Sequence, residues 1–75
     1  LIDAVPKEEA IRLLERNLEQ VERTREQWLI GREIKGGLGL TPIVTAAFDN
    51  AISVLELDIA YLKRLIALLR EEEPG

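Results

Sequence analysis

Cysteine, histidine and methionine are all missing from this chain of 75 residues, and its only aromatic residues are one tryptophan, one tyrosine and one phenylalanine. Without cysteine there is no disulfide framework, and without cysteine or histidine a structural zinc site of the usual kind is excluded. A hydrolytic triad needs a base to activate its hydroxyl, and the histidine that usually serves is absent. We therefore expect no cofactor, no metal site and no enzyme activity.

Long hydrophobic runs are missing as well. The longest, Leu65 to Leu69, is far shorter than the roughly 20 residues that a bilayer-spanning helix needs, and no signal peptide opens the chain. Ten basic and fourteen acidic residues give a net charge of −4, the wrong sign for a module that neutralises phosphates. These features predict a soluble cytoplasmic protein that contacts neither a membrane nor, directly, nucleic acid.

What the sequence does contain is two helical patterns separated by glycines. The first is predicted to run from about residue 6 to 35, because Pro6 and the acids after it are typical of a first helical turn. Its apolar residues form a narrow stripe: Ile11, Leu14, Leu18, Val21 and Trp28. The glycine-rich residues 36–40 form a turn, and Thr41 before Pro42 starts a second helix that ends near residue 72. We expect an all-α hairpin of two long antiparallel helices.

The second helix carries a ladder of large apolar residues at intervals of seven. One column is Phe48, Leu55, Leu62 and Leu69, and the column beside it is Ile52, Ile59 and Ile66. Such a repeat keeps apolar side chains on one helical face and requires another helix against it. A chain this short buries a thin core of its own. We therefore predict that these seven residues form a homodimer interface, and that two hairpins make a helical bundle with coiled-coil packing.

A third apolar column, Ala47, Val54, Tyr61 and Leu68, flanks the ladder. The apolar surface of the second helix is then too wide for one neighbouring helix to cover, so burial on at least two sides is expected.

Two charged residues interrupt the apolar surfaces. Asp58 is surrounded at helical spacing by apolar residues of the second helix, and Arg25 lies between Val21 and Trp28 in the first. One hypothesis is that Arg25 and Asp58 form a buried ion pair that fixes the register of the helices. The alternative is that both side chains reach water at the edge of the seam. The single tryptophan, Trp28, is either a core anchor or one wall of a ligand pocket.

Other charged groups have simpler explanations. Glutamates 15, 19, 22 and 26 share a helical face, but bundle metal sites combine glutamate with histidine, so a solvated face is the better interpretation. An anion site formed by Arg12, Arg16 and Arg23 would make a small helical enzyme, but acids are interleaved with these arginines. A small helical enzyme is therefore the least favoured function for this sequence.

Two segments resemble the C-terminal domain of PadR-like transcriptional regulators. The first, Leu1 to Trp28, contains Asp3, the Val5-Pro6-Lys7-Glu8-Glu9-Ala10 start and the Leu13-Leu14-Glu15 run. The second, Ala51 to Leu69, contains Asp58-Ile59-Ala60-Tyr61-Leu62, which is similar to the family's pattern of an acid, two variable residues, tryptophan or tyrosine, and leucine. The residues from Ile34 to Leu40 have no counterpart in this resemblance.

The resemblance implies a specific function. PadR-like regulators bind operator DNA through an N-terminal winged helix-turn-helix domain and dimerise through a helical C-terminal domain. The chain would then be the dimerisation and effector domain of a repressor, and the lack of an initiator methionine favours a fragment without its DNA-binding domain. Some members sense small aromatic molecules, which would make Trp28 and Tyr61 a candidate ligand pocket. The alternative is a free-standing helical hairpin that homodimerises and binds a partner protein.

Overall fold

The computed structural model describes residues 6–71, which form two helices. Helix α1 spans Lys7–Gly36 and helix α2 spans Pro42–Glu71. Ion pairs join Arg32 to Asp49 near the turn and Glu15 to Arg70 at the far end, so the helices are antiparallel. The predicted all-α hairpin with a glycine-rich turn is therefore confirmed. The predicted helix end at 72 and the resembling residues 1–5 lie outside the described range.

The first helix begins and ends where its sequence predicts. Pro6 has an extended backbone and accepts a hydrogen bond from the amide of Ala10 at 3.0 Å, while Glu8 and Glu9 lie in the positive first turn. At the other end, the amides of Gly37 and Leu38 donate to the carbonyls of Glu33 and Lys35. Gly39 then takes a positive φ of 85°, a conformation that glycine adopts without a steric penalty. The chain reverses direction at this point.

The second helix starts with a side-chain cap. The Thr41 hydroxyl oxygen accepts a hydrogen bond from the amide of Val44 at 3.3 Å, and its carbonyl accepts one from Thr45 at 2.9 Å. Pro42 occupies the first helical position, where its missing amide costs nothing. The sequence thus fixes the start of α2 at the predicted residue.

The core of the hairpin is small and comes from one helix. Ile52, Leu62 and Ile66 of α2 are the buried residues, whereas α1 has none. Fully burying a side chain of this kind contributes roughly 1.5–3 kcal/mol, so three such residues stabilise the hairpin only modestly. Within residues 6–71, neither helix combines the length and apolar character required to cross a bilayer.

Candidate functional site

The apolar ladder of α2 lies against α1 of the same chain. Ile52, Leu62 and Ile66 are buried, and the other four members are half-buried: Phe48, Leu55, Ile59 and Leu69. In a two-helix hairpin only α1 can provide this burial. Their additional role in a homodimer interface stays a prediction, since the remaining exposure of the four leaves surface for another helix.

Aromatic rings meet near the turn. Trp28 and Phe48 pack edge to face with centroids 5.4 Å apart and planes at 73°, a favourable geometry for two rings. Gly31 lies beside them, and a Cβ placed on it would be 3.8 Å from Cε1 of Phe48. These contacts anchor the end of α1 to the start of α2, while Trp28 itself stays 39% exposed and outside the buried core.

The hairpin does not bring Trp28 and Tyr61 together. Trp28 borders a shallow depression that it shares with Gln27 and Phe48, and Tyr61 is 60% exposed. Tyr61 follows Phe48 by thirteen residues, which is about 20 Å along a helix. A pocket walled by both rings therefore does not form within one chain, and any ligand site that used Tyr61 would need another surface to enclose it.

Within the hairpin Arg25 pairs with a different residue from the Asp58 of the ion-pair hypothesis. Nε of Arg25 donates instead to Oε2 of Glu56 at 3.1 Å, and both of these side chains remain partly exposed. Asp58 follows Glu56 by two residues, about 200° around the helix, and its side chain is exposed on another side of α2. The helical spacing of its apolar neighbours predicted which surface of α2 carries Asp58. It did not predict whether α1 covers that surface.

Three ion pairs between the helices define a charged edge of the hairpin: Glu15 with Arg70, Arg25 with Glu56, and Arg32 with Asp49. The Arg32 to Asp49 distance is 2.9 Å. Each pair is exposed and contributes little by itself, typically 0.2–1 kcal/mol. The sequence analysis did not predict this charged edge.

One pattern in the sequence could have indicated the edge. Residues seven apart on α2 form a column in which two acids precede two bases: Asp49, Glu56, Lys63 and Arg70.

The third apolar column of α2 stays uncovered. Val54, Tyr61 and Leu68 are among the exposed large apolar side chains of the hairpin, and Ala47 is also exposed. The sequence predicted that this column needs a second neighbour besides the ladder's partner. Helix α1 covers the ladder and leaves the column open, so the column is the strongest candidate site for association.

Acids and arginines are interleaved on the exposed surface of α1. Among residues 6–71, no group of three or more carboxylate, histidine or cysteine side chains is placed to hold a metal ion. Arg12 and Arg16 border a surface depression together with Glu15, Glu19 and Glu22, and Arg23 lies 3.7 Å from Glu19. An anionic substrate would meet these acids as well as the arginines.

Comparison with known proteins gives no match to any family model, any curated protein or any solved structure. The function is therefore argued from the geometry of the hairpin.

Proposed function

We propose that the chain is a helical dimerisation module, in which two hairpins associate into a four-helix bundle. The observation that carries this proposal is the uncovered column of α2 formed by Val54, Tyr61 and Leu68. A monomeric soluble protein rarely leaves a contiguous apolar stripe of this length facing water, and such stripes mark interaction surfaces. The column extends over most of α2, so its partner must be a long element such as another helix.

The size of the core supports the same proposal. Three buried residues in two 30-residue helices are few, and the chain has no cysteine with which to compensate. Small domains that lack disulfides or metals commonly gain the missing burial by oligomerisation. Covering a second apolar surface would add buried apolar area and stabilise both hairpins together.

The biological setting that we propose is a PadR-like transcriptional repressor. The resemblance of the sequence to the C-terminal domain of that family supports this setting, and dimerisation is the role that such a domain has. DNA binding would reside in a separate winged helix-turn-helix domain. An aromatic effector would bind where two subunits enclose Tyr61, since one hairpin alone leaves this ring open to solvent.

A free-standing hairpin that homodimerises and binds a partner protein is the alternative. The coding sequence upstream of Leu1 separates the two proposals. A winged helix-turn-helix encoded in the same frame supports the repressor, and a start codon immediately before Leu1 supports the free-standing hairpin.

A fusion experiment tests dimerisation in a regulatory setting. The chain is joined to a DNA-binding domain that represses a reporter only as a dimer. We expect repression by the fusion, whereas the DNA-binding domain alone leaves the reporter active. Repression no stronger than that of the unfused domain, at equal protein levels, would contradict the proposed function.

A further inference from the structure

Two neighbouring columns of residues on α1 contain no charged side chain. Residues seven apart lie on one helical face, so each column is a stripe along the helix. The first column is Ala10, Asn17, Thr24 and Gly31. The second is Leu13, Gln20, Gln27 and Ile34. Neither contains a charge, although α1 is otherwise rich in glutamate and arginine.

Two columns of α2 share this property with a single exception. The first is Val44, Ala51, Asp58 and Leu65. The second is Ala47, Val54, Tyr61 and Leu68, the column that α1 leaves uncovered. Asp58 is the only charged residue in the two columns, and it lies near the middle of α2.

All four columns lie on one side of the hairpin. The charged edge runs along one margin of the contact between the helices, and the first column of each helix runs along the opposite margin. Gly31 illustrates this, since its Cβ position lies 3.8 Å from the Phe48 ring. Thr24, Ala51 and Leu65 are half-buried, as expected of residues that flank the seam. We call this side the uncharged face.

The exposed apolar residues concentrate on the same side. Of the eleven large apolar side chains that are exposed in the described hairpin, six belong to the uncharged face. These six are Leu13, Ile34, Val44, Val54, Tyr61 and Leu68. The hairpin is therefore amphipathic, with most of its charges on the charged edge and on the back of α1, while the back of α2 carries the small residues Ala46, Ser53, Ala60 and Ala67.

We infer that the uncharged face binds the uncharged face of a second copy of this chain. This inference rests on the proposed dimerisation and assigns the surface that performs it. Two 30-residue helices side by side present a face about 45 Å long and two helices wide, on the order of 800 Å². A stable interface of standard size buries about 800 Å² on each partner, so the area of the face suits a dimer.

The charge distribution favours a second copy over other occupants. Each chain carries a net charge of −4, and pairing through the uncharged faces keeps almost all of that charge apart and in water. A lipid surface suits this face less well, because helices that lie on membranes carry Lys and Arg beside an apolar face, whereas this face has three amide side chains in its middle, those of Asn17, Gln20 and Gln27.

The same amides explain how the face accommodates Asp58. A carboxylate that leaves water needs hydrogen-bond donors, and side-chain amides supply them. Asp58 lies near the middle of α2, and Gln20 and Gln27 lie on either side of Thr24 near the middle of α1. When the face meets a copy of itself, each subunit places its central amides opposite the centre of the other. The two Asp58 carboxylates of the interface, one from each subunit, are then hydrogen-bonded.

Pairs of matched variants test the surface. Leu13 is 53% exposed on the uncharged face of α1, and Ile30 is 54% exposed outside that face, in the column of Glu9, Arg16 and Arg23. Ala47 and Ala60 make a second pair on α2: both are exposed, Ala47 on the uncharged face and Ala60 on the back of the helix. The dissociation constants of Leu13→Glu, Ile30→Glu, Ala47→Glu and Ala60→Glu are measured by sedimentation equilibrium beside the unmodified chain. Because the members of a pair are similarly exposed in the hairpin, any effect on a single hairpin should be similar in both.

We expect the unmodified chain, Ile30→Glu and Ala60→Glu to dimerise with dissociation constants within about threefold, and Leu13→Glu and Ala47→Glu to bind at least tenfold more weakly. If a glutamate variant loses helicity at the highest concentration, Leu13→Gln is compared with Ile30→Gln. If both variants of each pair raise the dissociation constant equally, the assigned face is wrong, while the proposed function as a dimerisation module is not contradicted. A monomeric unmodified chain would overturn both, including the case in which that monomer binds anionic vesicles through the face.

Discussion

Gly31 is the single residue whose substitution most simply tests the packing beside Trp28 and Phe48. It lies inside α1, where glycine is about 0.8–1 kcal/mol less favourable than alanine. An added Cβ would meet Phe48 at 3.8 Å, which is an ordinary van der Waals contact. We expect Gly31→Ala to raise the free energy of unfolding by about 0.5–1 kcal/mol, measured by urea denaturation at fixed chain concentration.

Gly39 provides the matched control for that substitution. It has a positive φ of 85° in the turn, where a side chain is strained even though no atom lies within 4 Å of the added Cβ. Gly39→Ala should therefore lower stability by about 1–2 kcal/mol. A loss of stability in Gly31→Ala as large as that in Gly39→Ala would show that the space beside Phe48 is smaller than the structure indicates.

Asp58 is the residue at which the proposed interface has its largest electrostatic cost. Covering the uncharged face removes this carboxylate from water, while an amide of nearly the same shape keeps the hydrogen bonding and carries no charge. We expect Asp58→Asn to tighten the dimer several-fold in sedimentation equilibrium. The same kind of change at Glu26→Gln, exposed on the charged side of α1, should leave the dissociation constant unchanged. An unchanged dimer in Asp58→Asn would place Asp58 outside the interface, and a weaker dimer would contradict the electrostatic cost assigned to its carboxylate.

At the scale of the helices, the apolar ladder and the charged edge contribute differently to the packing of α1 against α2. The ladder from Phe48 to Leu69 supplies the apolar contact of α2 with α1 and would tolerate shifts of one helix along the other. The ion pairs of the charged edge favour the observed antiparallel register, in which each of them joins an acid to a base. The edge thus contributes more to specificity than to total stability.

A swap of the pair Arg32 and Asp49 tests this role. The pair spans the helices at 2.9 Å near the turn. Arg32→Glu should lower the free energy of unfolding by about 0.5 kcal/mol through repulsion with Asp49, and adding Asp49→Arg should recover most of that loss. Thermal unfolding at low and high salt measures both effects. The changes in unfolding free energy of the single variants Arg32→Glu and Asp49→Arg are added and compared with the change in the double variant. If the double variant is no more stable than this sum, the pair has no energetic coupling.

The helices themselves could be predicted from the sequence, because Pro6, Thr41 and the glycines after Lys35 are local signals that act on the adjacent backbone. The ladder and the uncovered column at Val54 were also visible, since their periodicity belongs to one helix. The partner of Arg25 was not, because that choice depends on the rotation of α1 against α2. Glu56 and Asp58 are close in sequence but face different directions, and only the assembled hairpin shows which one Arg25 reaches.

At the scale of the whole molecule, the hairpin is a thin amphipathic plate. The described chain measures 57 by 21 by 15 Å, so it is little more than one helix thick, and three residues are buried. Such a plate has most of its charges on the charged edge and on the back of α1, and an uncharged face with Asp58 as its one exception. A second copy would convert it into a four-helix bundle with a central core.

The most direct test of the central claim, that the chain is a dimerisation module, follows the mass and the helicity of the unmodified chain through one dilution series. Light scattering gives the mass, and circular dichroism gives the helicity. We expect twice the 8.5 kDa chain mass at high concentration, with helicity and mass falling together on dilution, because folding and association are coupled. A fully helical 8.5 kDa monomer at every concentration would contradict the account.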